Sequence, residues 1–121
     1  MTDAEFEKLV AEGLDALPER VQKHMANVAV TVADDVTDAE RKEYDLGPNE
    51  TLFGHYYGVP LTERDTHYVS LPDKITIFAG PVLRVSQDAE MVKQKVAQVV
   101  KHEIAHHFGL SEVEVRRAER P

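Results

Sequence analysis

His102, Glu103 and His106 stand in the run His102-Glu103-Ile104-Ala105-His106-His107-Phe108-Gly109-Leu110-Ser111-Glu112. In a helix, residues i and i+4 share a face, about 6 Å apart along the axis. His102 and His106 can therefore offer imidazole nitrogens to one metal ion. Glu103 lies one position along, within reach of a metal-bound water without being a ligand itself. Two histidines that hold Zn²⁺ and a glutamate that takes the proton from its water make a zinc hydrolase. The chain has no cysteine, so thiolate ligands and a cysteine nucleophile are excluded. Any metal must be held by His, Asp or Glu.

A catalytic zinc usually has three protein ligands and an open fourth position. Gly109 predicts the end of the helix, because glycine after a last turn adopts the left-handed conformation that reverses the chain. That reversal can bring Glu112 back to the histidines, which makes it the candidate third ligand. Glu114 is the nearest competitor. Ser111 and Glu112 can also simply begin a last helix with Ser111 as its cap.

A helix must carry this motif. Val92, Val96, Val99 and Val100 have helical spacing. Extended at about 100° per residue, their stripe runs through Glu103 and His106, with His102 and His107 at its flanks. The motif is thus expected where core residues belong, and buried polar groups need partners. His107 reads either as a donor behind the ligands or as a satisfied core histidine. Ser86 is expected to cap this helix, with Asp88 and Glu90 near its positive end.

The pattern His102-Glu103-x-x-His106-x-x-Gly109-x-x-Glu112 resembles the extended metzincin zinc motif, with an acidic residue where most metzincins have a third histidine. Two further stretches, Gly54 to Arg64 and Leu71 to Pro81, narrow it. Together they resemble a family of small bacterial proteins with a minimal zincin-like fold, described as predicted zinc metallopeptidases. The resemblance covers Val28 to the end. It implies a zincin-like fold, a Zn²⁺ cofactor and a peptide or protein substrate.

The length of 121 residues predicts one domain. The formal net charge of −8 disfavours nucleic-acid backbones and anionic membranes as partners. No basic region followed by an apolar run opens the chain, and no apolar stretch is long enough to span a bilayer. A cytoplasmic protein is expected. The sequence leaves the oligomeric state open.

Along the chain, Thr2 or Asp3 can cap a first helix whose apolar face is Phe6, Leu9, Val10, Leu14 and Leu17. Pro18-Glu19 restarts a turn of helix. Val28 to Ala33 is β-rich and reads as a strand. Asp34-Asp35 reads as a solvated turn, and Thr37 to Glu50 as a loop with room for a short helical piece. Leu52 to Gly58 predicts a second strand. Only one of Tyr56 and Tyr57 can face a cleft, as a packing ring or as an oxyanion donor. His67 to Leu71 reads as a short strand, Pro72-Asp73 as a turn, Lys74 to Phe78 as a strand and Val82 to Val85 as a connector. Glu112 to Glu119 reads as a short closing helix. The resulting class is α+β, a small mixed sheet packed against an N-terminal helix and the long motif helix.

A rival reading from another class is a zinc-binding interaction module, in which the metal staples a small fold. Glu103 separates the two, since a purely structural site has no use for a free carboxylate beside its metal.

Overall fold

A computed structural model describes residues 1–47, 50–58 and 72–109. Helix α1 spans Asp3–Asp15 and starts at Thr2, whose Oγ1 accepts a hydrogen bond from the Glu5 N–H at 3.1 Å. Asp3 and Glu5 in its first turn complement the positive end of the helix. Pro18 precedes the short α2 (Glu19–Lys23). Strand β1 (Val28–Ala33) follows, its run of β-branched residues well suited to a pleated surface. Next come α3 (Asp38–Glu43), β2 (Gly54–Tyr57) and β3 (Asp73–Phe78). Helix α4 (Ala79–Arg84) and the long α5 (Ala89–His107) complete the described chain.

Among the described residues the sheet has the order β1-β3-β2, with β1 parallel and β2 antiparallel to β3. Tyr56, Ile75 and Ile77 form one face. It packs on Val92, Val96, Val99, Val100 and Ile104 of α5, with Phe6, Leu9, Val10, Leu17 and Val21 beyond. Each such apolar side chain stabilises the fold by about 1.5–3 kcal/mol on full burial, so the sheet and α5 are held together chiefly here. The fold is α+β with a small mixed sheet, as the pattern predicted. The opposite face carries His55, Tyr57 and Lys74. Tyr44, just after α3, packs there with its ring centre 4.3 Å from that of His55, and the Lys74 ammonium lies over the Tyr57 ring.

The short helical piece allowed in the charged loop after Thr37 is α3, started by a capping box in which Thr37 and Glu40 satisfy each other's backbone N–H groups. Three local expectations change. The apolar connector is α4, with Pro81 in its first turn, where a missing N–H costs nothing. Ser86 does not cap α5. Its hydroxyl donates to the Val82 carbonyl at 2.8 Å and so serves the end of α4. Asp88, next to the helix, takes the cap and accepts from the Met91 N–H at 2.9 Å. The second strand is also shorter than Leu52 to Gly58. The strand expected at His67 to Leu71 and the closing helix lie outside the described residues.

Gly54 is where α5 meets β2. A β-carbon there would stand 2.7 Å from Val99 Cγ1 and 3.0 Å from the Thr76 carbonyl oxygen. The glycine in this strand therefore marks close approach by a helix.

Asp35, in the turn after β1, ties three segments together. Its Oδ1 accepts from the Val36 N–H at 2.7 Å and from the Thr51 hydroxyl at 3.1 Å, and its Oδ2 pairs with Arg84 at 3.0 Å. Partial burial works against its charge, but the Arg84, Val36 and Thr51 hydrogen bonds outweigh it and hold the carboxyl below its usual range. A depressed folded pKa stabilises the fold above the usual value of 3.8, and that contribution is lost as pH falls through the lower folded value. Asp35→Asn should cost about 1 kcal/mol or less at neutral pH, because the pair is partly exposed and screened. Urea unfolding at pH 7 and pH 3 should show the difference from wild type shrinking at the acid end. An equal difference at both would assign Asp35 a role independent of charge.

Candidate metal centre

The buried residues Val92, Val96, Val100 and Ile104 recur every four positions along α5. At about 100° per residue, each step of four carries the buried line about 40° round the helix. By the last turns it has moved to Ile104 and Ala105, both buried. This corrects the expectation that the motif occupies the core face. His102 and His106 are exposed, and Glu103 is half-buried between the pair and the core. The two imidazole rings lie one turn apart with centres 4.7 Å apart and planes inclined by 38°.

The helix ends as its glycine predicted. The Phe108 N–H donates to the Ile104 carbonyl at 3.0 Å, and Gly109 takes a left-handed φ of 70°. Glu112, its competitor Glu114 and Ser111 lie outside the described residues. Among the described residues, no three His, Asp or Glu side chains gather around one point. The donor set that is present fits zinc: two imidazoles suit this ion, and both face solvent.

His107 is not the core histidine of the second reading. Its side chain is 40% exposed and lies flat on Tyr56, with ring centres 3.9 Å apart and an angle of 17° between planes. Its Nε2 is 3.9 Å from Asp73 Oδ2. The Tyr56 hydroxyl donates to the same carboxylate oxygen at 2.6 Å, inside the core. Asp73, which the sequence presented as part of a turn, is thus a buried anchor beside the motif helix. No local signal marks it, because its partners come from β2 and α5.

The tyrosines do alternate across the sheet, and both hydroxyls are engaged. Tyr57, on the far face, donates to Glu40 Oε2 at 2.9 Å. Burial, with Tyr44 and Glu40 nearby, pushes its phenol well up. The Thr37 N–H, outweighing partial burial and joined by the Tyr57 hydroxyl, holds the Glu40 carboxyl down. Tyr56 and Tyr57 therefore serve packing and hydrogen bonding, and His55 packs between Tyr44 and Tyr57, away from α5. The His24 and Phe108 rings meet tilted, with centres 4.6 Å apart.

A histidine pair and a glutamate thus stand on one helix packed on a small mixed sheet, in an α+β domain. The chain matches the zincin-like metallopeptidase family over residues 25–120 and belongs to it. The match takes in every element from β1 to α5. The family is a class of zinc-dependent hydrolases. Comparison with curated proteins gives no match. Among the described residues, no helix is long and apolar enough to cross a membrane.

Proposed function

We propose that this chain is a zinc-dependent peptidase, acting as one domain, in which His102, His106 and Glu112 hold Zn²⁺ and Glu103 is the general base. The observation that carries this reading is the exposed imidazole pair, one helical turn apart, with a carboxylate between them in sequence. Zinc, when bound, polarises the scissile carbonyl and acidifies an attacking water. Glu103 accepts the proton of that water at its carboxylate and returns it to the departing amide nitrogen. A general base beside the pair favours catalysis over a purely structural site.

Strand β2 supplies the other wall. Among the described residues it pairs only with β3, so an extended peptide can align along its outer edge. The partner is then a peptide or protein, and the acidic charge argues against nucleic acid and anionic membranes. A cytoplasmic site of action suits a chain without cysteines.

Elemental mass spectrometry of the purified protein tests the ligand set. Near-equimolar zinc in the wild type, lost in His106→Ala and in Glu112→Ala, is the expected result. Zinc retained in Glu112→Ala would move the third ligand to another residue. A wild type that takes up no zinc after reconstitution would remove the peptidase reading.

A further inference from the structure

We propose that His107 is a positioning residue: stacked on Tyr56, it clamps the last turn of α5 and so keeps His106 in register with His102. The inference rests on the metal reading above. Helix α5 ends at His107, so His106 belongs to its last turn. Final turns have carbonyls without intrahelical partners, and they open easily. A metal site needs both imidazoles fixed, and His106 is exposed on its own side of the helix.

A line of contacts supplies the missing constraint. Asp73 is the first residue of β3 and is buried. It holds the hydroxyl of Tyr56, itself buried on β2, at 2.6 Å. The fixed Tyr56 ring carries the His107 imidazole at 3.9 Å, nearly parallel. Phe108 meets His107 edge-on at 5.0 Å and reaches His24 on the other side at 4.6 Å. The last turn is thereby fastened to β2, to β3 and to the end of α2. Neighbouring helical side chains diverge by about 100°, so His107 can hold the sheet while His106 remains with the ligand pair. The stacked ring face does this work, so an aromatic hydrocarbon can replace the imidazole.

The test uses the full chain as wild type, His107→Ala, His107→Phe and Tyr56→Phe. Zinc affinity is read by competition with a chromophoric chelator, and amide hydrogen exchange across Ile104 to His107 is read in the metal-free protein. His107→Ala should weaken zinc by about 10–100-fold, the range found when residues supporting ligands are removed. It should also speed exchange in the last turn with little change in the urea midpoint, since the side chain is partly exposed. His107→Phe should restore both readouts, and Tyr56→Phe, which keeps the ring for the stack but removes its hydroxyl bond to Asp73, should fall between. A His107→Ala protein with wild-type affinity and exchange overturns the clamp. So does a His107→Phe protein no better than His107→Ala, which would make the ring nitrogens the active part. Failure of the wild type itself to bind zinc would instead overturn the metal reading, and the clamp's role with it.

Discussion

Glu103→Gln is expected to lower peptide hydrolysis by about 10²–10⁴-fold, the contribution typical of a positioned general base. The amide keeps the volume and the hydrogen-bonding reach of the carboxylate but cannot take a proton. Glu103 is half-buried, one position round α5 from His102, so the exchange leaves both imidazoles in place. Zinc content should therefore stay at the wild-type level. The measurement is kcat/KM on substrates selected from a peptide library, beside metal stoichiometry of the same preparations. An active wild type that loses nothing in Glu103→Gln would place the base elsewhere. Loss of zinc in step with activity would recast Glu103 as a ligand.

The second large effect concerns stability. Ile104, between the two histidines in sequence but on the buried face of α5, is fully buried. Ile104→Ala should destabilise the metal-free protein by about 2–5 kcal/mol, through lost burial and the cavity left behind. His106→Ala, two positions on and exposed, should stay within about 0.5 kcal/mol of wild type in the same urea unfolding experiment. The contrast reads the helix face directly. A comparable loss in His106→Ala would return His106 to the core line and undermine its availability to a metal.

That contrast also marks where the sequence stopped being legible. Strand β1 was readable because Val28, Val30, Thr31 and Val32 are β-branched over a short run, and β3 because Ile75, Thr76 and Ile77 repeat the pattern. Helix α1 carried its cap at Thr2 and its apolar face at regular spacing. The motif helix was readable in existence and end, but the direction of its face was not. A stripe repeating every four residues rotates relative to a helix with about 3.6 residues per turn. The rotation accumulates over several turns, so a face judged from Val92 to Val100 no longer holds at His106. Short helices such as α3 and α4 carry weak local patterns, because few residues share the nucleation cost. The pair Thr37 and Glu40 was nonetheless a visible capping box. Asp73 was unreadable for a different reason. Its neighbours are set by the pairing of β2 with β3 and by how α5 lies across them.

Gly54 gives the site its scale. Val99, which rests against that glycine, precedes His102 by three residues and Glu103 by four, so all three lie on adjoining parts of one helical face. The clearance between the chemical groups and the strand beside them is therefore fixed by a hydrogen atom. A side chain at position 54 would press on Val99 and on the Thr76 carbonyl, and so on the spacing between α5 and β2. Gly54 brings no side chain to the proposed site, yet under selection for activity it would be as intolerant of change as the histidines.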